Sequence, residues 1–190
     1  MKQFISLLSA VIIVGFTLTA KAQSEAEMKK WKEYMTPSTV QNMIAKWDGN
    51  WNESITMWSA PGAPEQKMEA TCVNKMILGG RYQESNHTGT MMGMPFEGIG
   101  TTGWDNASKH FVNSWVDNFG TGMTFMEGPW DEAKKTMTLK GKMVDPMTGK
   151  LIALRQVLKV IDDNTQFMEQ YTNKDGKEFK NMEIKMTRKQ

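Results

Sequence analysis

One cysteine and two histidines in 190 residues leave few of the groups on which metal-dependent or thiol chemistry usually rests. A lone Cys72 makes no intrachain disulfide, so burial and backbone pairing must hold the fold by themselves. No H-E-x-x-H, G-x-S-x-G or P-loop occurs, and with only His87 and His110 available any catalytic triad assignment is arbitrary. Charge of one sign is scarce too: 23 basic residues stand against 21 acidic ones, with no Lys/Arg block to neutralise a phosphate backbone. Nucleic acid is therefore not an expected partner. Neither a fixed repeat nor a low-complexity linker divides the chain, which reads as one domain.

The N-terminus carries the first positive signal. Lys2 precedes an almost uncharged apolar run from Phe4 to Leu18, and Ala20-Lys21-Ala22 supplies small residues where a signal peptidase cuts. The run is short for the roughly 20 residues that span hydrocarbon. No cysteine follows it to take a lipid. The expectation is an exported protein, periplasmic or secreted, with residues 1–22 as signal peptide and no transmembrane segment after cleavage. Residues 23–48 then form a helical segment and 49–190 a β-barrel domain.

In the helical segment Met28, Trp31 and Met35 recur at helical spacing. After Thr36-Pro37, Ser38 and Gln41 make a capping box ahead of Val40, Met43, Ile44 and Trp47. Both helices are short enough to need a surface to lie on. From Trp51 the hydrophobic period changes to two. About ten strands follow, near 51–58, 69–77, 81–90, 96–105, 110–117, 122–130, 136–144, 151–161, 166–172 and 178–188. Short turns such as Gly79-Gly80, Asp105-Asn106 and Asp175-Gly176 join them as hairpins. A meander of this size has to close to remove its edges, so the fold class is all-β, an antiparallel up-and-down barrel. Met137, Leu139 and Met143 should face inward, as should Met182, Ile184 and Met186.

Gly49-Asn50-Trp51 in the first strand and Arg188 in the last resemble the calycin and lipocalin arrangement, in which a cation from the final strand lies over the first-strand Trp. The series Leu78-Gly79-Gly80-Arg81-Tyr82, Gly93 to Gly100, Gly103-Trp104-Asp105-Asn106, Trp115-Val116-Asp117, Asp145-Pro146 with Thr148-Gly149, Arg155 and Met182-Glu183-Ile184 is more specific. It resembles domain-of-unknown-function family 1579, bacterial calycin-like barrels that are often exported. The resemblance implies a fold and a compartment and no activity. The related nitrobindins hold haem through a late His, and here no His follows position 110.

Polar residues on apolar strands are the candidates for a site, because a charge buried without a partner costs several kcal/mol. Arg81, Glu97, Asn113, Asp117 and Arg155 are expected to orient a ligand's polar end, and Trp104, Trp115 and Tyr171 to cover its apolar body. A self-satisfied salt-bridge network on the same residues is the alternative. Gly98, Gly100 and Gly103 are read as barrel curvature, since no helix follows to make them a phosphate loop. Met91, Met92 and Met94 offer soft thioethers suited to Cu(I), while most of the 18 methionines suit core or lumen packing. Cys72 is read as a buried small hydrophobe. The expected function is binding of a small apolar or amphipathic ligand in the cell envelope, with no cofactor, metal or catalytic residue assigned. Its rivals are an enzyme using Glu97, Asp117 and Arg155, copper binding by the methionine loop, and a structural or partner-binding domain.

Overall fold

A computed structural model describes residues 24–174 and 176–190; the expected signal sequence and its expected cut after Ala22 lie outside them. Two helices, α1 (Glu25–Met35) and α2 (Thr39–Ala45), precede eleven strands. These are β1 (Gly49–Met57), β2 (Gln66–Ile77), β3 (Tyr82–Met91), β4 (Met94–Asp105), β5 (His110–Asp117), β6 (Thr124–Gly128), β7 (Trp130–Asp131), β8 (Thr136–Val144), β9 (Leu151–Asp162), β10 (Thr165–Lys174) and β11 (Lys177–Arg188). Every pairing is between sequence neighbours except two: β1 pairs with β11, and β6 pairs with β8. The second pairing closes ten strands into an antiparallel barrel, and β7 continues β6 past Pro129 as a short extra strand.

Two glycines make the closing seam. A Cβ on Gly128 would collide with the Thr138 carbonyl, and one on Gly141 with the Phe125 carbonyl, so the backbones of β6 and β8 approach where only glycine fits. Gly98 and Gly103, expected to serve curvature, make room for rings. A Cβ on Gly98 would lie 2.6 Å from the Trp115 indole, and one on Gly103 would lie 2.6 Å from the Tyr82 ring.

Alternation sorts the faces as the sequence implied. Met137 and Leu139 are buried, and Ile184 shares its face with Met182 and Met186. The interior divides along its length. Near the β1 start, Phe111, Met126, Met137, Leu139 and Leu154 form a filled core with Ile44 and Trp47 of the α2 region. α2 is stitched over that end by polar groups: Gln41 donates to the Trp104 carbonyl, Gln83 to the Ile44 carbonyl and to Asp48 Oδ1, and Asn74 to the Trp47 carbonyl. The Ser38–Gln41 capping box is present, and a second one joins Ser24 to Glu27 in α1.

α1 departs from expectation. None of its residues is buried; Met28, Trp31 and Met35 stand about half exposed. Its C-terminal end is held by Asn106, which donates to the carbonyls of Glu33, Tyr34 and Thr36, and by Arg81, which donates to that of Met35. The helix hangs from two polar tethers at the capped end.

Trp51 and Arg188 meet as the resemblance implied. The guanidinium carbon lies 4.4 Å from the indole centroid, and Trp51 Nε1 donates to the Trp47 carbonyl at 2.9 Å. Arg188 also reaches the carbonyls of Asp48, Lys46 and Asp163. Gly49 has φ +123°, and a Cβ there would sit 2.9 Å from an Arg188 nitrogen, which gives the glycine of Gly49-Asn50-Trp51 two reasons to be glycine.

Candidate functional site

β1 carries Trp51, Glu53 and Ile55 on its inner face, so its alternation delivers a carboxylate into the barrel between two apolar residues. The β1–β2–β3 register then aligns the partners. Glu53 lies opposite Ala70, and one row toward the capped end Cys72 lies opposite His87. Glu53 is 1% exposed, and its Oε2 lies 3.0 Å from His87 Nδ1. On the other side of the ring, His87 Nε2 faces Cys72 Sγ at 3.6 Å, and the thiol donates to Asn74 Oδ1 at 3.0 Å. One ligand-capable atom from each of Glu53, Cys72 and His87 lies within 4.8 Å of the others.

The trio is asymmetric in its access to water. His87 keeps 15% of its side chain exposed, and Glu53 and Cys72 are almost fully enclosed. Burial pushes the Cys72 thiol well up, with Glu53 adding to the effect, so the thiol stays protonated across the physiological range. The reading of Cys72 as a buried small hydrophobe agrees with its enclosure. Glu53 Oε1 has no hydrogen-bond partner among the described residues, nor has the Nε2 of buried Gln166. Gln166 lies opposite Met186, which in turn lies opposite Glu53, so an orphan acceptor and an orphan donor share one inner row.

From this row onward the interior changes character. Ile55, Ala70 and Ile184 form a second buried cluster, and Met57, Met68, Met168, Met182 and Met186 pack on it while staying only partly buried. The barrel thus has a filled, capped half, a polar floor and a methionine-walled half that solvent still reaches. A surface groove lies elsewhere. Of about 640 Å³, it runs along the wall past Tyr82, Val112, Ser114, Phe125, Met126 and Lys140.

The residues singled out from sequence separate into three groups. Trp115 and Asp117 are at the floor: the Trp115 ring packs edge-on against His87 at 5.0 Å between centroids, and its Nε1 donates to Asp117 Oδ2 at 2.7 Å. Asn113 and Trp104 face inward within the filled half, where Asn113 donates to Thr102 Oγ1 and Trp104 packs on Phe111. Arg81 is at the capped rim as the α1 tether. Glu97, Arg155 and Tyr171 do not join the interior. Glu97 is exposed beside inward Gly98, and Arg155 alternates with the buried Leu154. Arg155 makes a bidentate pair with Glu178 and lies 3.8 Å over the Tyr171 ring. Arg155 holds the Glu178 carboxyl below the usual range, and burial followed by the Glu169 bond raises the Tyr171 hydroxyl. Glu97, Asp117 and Arg155 consequently do not converge. Met91, Met92 and Met94 occupy the β3–β4 turn, with φ of 53° at Met92 and 77° at Gly93.

Glu53 escaped the sequence reading although its signal was present, a carboxylate in phase with Trp51 and Ile55. His87 became its partner only through the β1–β2–β3 register.

Residues 36–188 match the family model described as "Protein of unknown function (DUF1579)". The chain belongs to the DUF1579 family. That match takes in α2 and the whole barrel, including every member of the floor, and leaves α1 outside. Among solved structures the DUF1579 chain is similar to the one titled "Crystal Structure of Rv2717c from M. tuberculosis", with TM-score 0.61 and 11% identity over 82% of this chain and 100% of that one. At that identity the likeness concerns the fold alone. No curated protein matches the sequence.

Proposed function

We propose that the barrel binds a small amphipathic molecule in its methionine-walled half and does so in the cell envelope. The observation that carries the reading is the incomplete burial of Met57, Met68, Met168, Met182 and Met186 on an inner face. Five partly exposed methionines on one inner face form an apolar wall that a bound molecule would cover. Methionine is flexible and polarizable, so the wall can adapt to an irregular apolar body. The unpaired Gln166 Nε2 at the floor supplies a donor for the ligand's polar end, and pairing it would recover about 1–3 kcal/mol otherwise lost to desolvation. The envelope location rests on Lys2, the Phe4 to Leu18 run and the Ala20-Lys21-Ala22 triplet.

An environment-sensitive apolar dye tests the pocket on the metal-free protein. Saturable 1:1 uptake is expected, and Met168→Lys, which places a charge in the wall, should weaken it by about 10-fold or more with the barrel still folded. Equal uptake by both proteins would move binding to the groove beside Tyr82 and Phe125. No uptake at all would refute the reading.

A further inference from the structure

Around Glu53, the geometry points to a metal site: we propose that Glu53, Cys72 and His87 bind one divalent transition-metal ion, with Zn²⁺ favoured by the donor set. This goes beyond the ligand reading, which rests on the methionine wall and Gln166.

Three observations carry it. The first is convergence. The thiol, the imidazole and the carboxylate present atoms within 4.8 Å of one another in the middle of an apolar barrel. Bonds of about 2.0–2.3 Å to a tetrahedral Zn²⁺ give ligand-to-ligand edges of roughly 3.3–3.8 Å; His87, which meets Glu53 through Nδ1 and Cys72 through Nε2, has to turn so that one nitrogen faces both partners. The second is the orphan oxygen. Glu53 is 1% exposed, and its Oε1 lacks a partner among the described residues, although a buried carboxylate needs its lone pairs engaged. The third is charge. When the ion enters, the Cys72 proton leaves to solvent; thiolate and carboxylate then carry two negative charges, the neutral imidazole none and the ion two positive ones. The assembled site is neutral, as a low-dielectric interior requires.

One sulfur, one nitrogen and one oxygen form a mixed set that suits Zn²⁺ better than hard Mg²⁺ or Ca²⁺, which take oxygen ligands. Three protein donors leave a fourth position of a tetrahedral ion for water or a ligand atom. Access to it runs past His87, the one member with solvent exposure. The Met91, Met92 and Met94 thioethers sit on a separate turn, so a site there would be a different one.

Purified protein stripped of metal and titrated with Zn²⁺ against a chromophoric chelator should bind one equivalent. Co²⁺ in place of Zn²⁺ should show a thiolate-to-metal charge-transfer band in the near ultraviolet. Cys72→Ser should abolish that band, and His87→Gln should weaken Zn²⁺ binding by about 100-fold or more. A chain with Met91, Met92 and Met94 all changed to Leu should keep wild-type Zn²⁺ affinity. The absence of a charge-transfer band in the unmutated protein overturns the proposal without reliance on any variant. So does Zn²⁺ binding that survives Cys72→Ser and His87→Gln undiminished. The dye experiment, run without metal, reports on the pocket separately, so either reading can fail alone.

Discussion

Gly141→Val is expected to be among the most damaging single changes in the barrel. Its Cβ would enter the Phe125 carbonyl of the facing strand, and backbone has little freedom to yield at the seam where β6 meets β8. That pairing spans only Phe125↔Lys142, Met126↔Gly141 and Glu127↔Lys140, so losing its middle pair reopens the barrel. Overpacking of this kind costs typically 1–3 kcal/mol where side chains can adjust. With backbone on one side, a loss of about 4 kcal/mol is expected, or a fall in Tm of roughly 8–15 °C for a chain of this size. Gly128→Ala, which meets the Thr138 carbonyl across the same seam, should behave alike. Gly122→Ala is the control, since nothing lies near a Cβ there. Thermal unfolding of the three proteins by circular dichroism checks the order; equal Tm values would mean that β6 and β8 are not joined.

The second large effect belongs to Trp51. It is 1% exposed, bonded through Nε1 to the Trp47 carbonyl and covered by Arg188. Trp51→Ala should cost about 3–5 kcal/mol, the usual range for deleting a buried large aromatic. Arg188→Ala should cost about 2 kcal/mol, because it removes a cation–π contact of about 0.5–2 kcal/mol and strips donors from three carbonyls. Arg188→Lys should recover only part of this, since an ammonium cannot fork to several carbonyls at once. Urea unfolding of both single variants and the double variant gives the coupling. An interaction energy of about 1–2 kcal/mol is expected, and strict additivity would reject the pairing.

How far the sequence could be read follows from which features are local. Strand alternation is local, so Met137, Leu139 and Ile184 fell on the predicted face. Capping boxes are local as well, and Ser38 with Gln41 was legible. Trp51 and Arg188 are far apart in sequence, and their meeting was readable only because the calycin resemblance supplies the closure. Face assignment of isolated polar residues fails more easily, because a shift of one residue reverses it. Arg155 and Tyr171 show this. Val157 and Ala153 on the same face made Arg155 look inward, yet Leu154 is the buried residue, and β10 carries register shifts at Thr165/Gln166 and Gln170/Tyr171. Glu97 failed in the same way beside Gly98, the residue that yields the inner space to Trp115.

The floor was hidden for another reason. Glu53 and His87 are 34 positions apart and bond only because β2 sets the register of both its neighbours. Trp115 and Asp117 were picked out as ligand-facing, but their company could not be known: an imidazole under the indole and a carboxylate beneath that. Gln166 carried no signal, being an ordinary polar residue at the start of a strand until its Nε2 is found without an acceptor.

The claim that unites these features is a barrel filled at one end and left receptive at the other. Native mass spectrometry of the protein purified from its own cells tests that most directly. The account predicts a complex of the chain with one small amphipathic molecule, released on denaturation and reduced or absent in Met168→Lys. A bare chain in both proteins, together with a structure in which Met57, Met68, Met168, Met182 and Met186 close the interior on themselves, would contradict it.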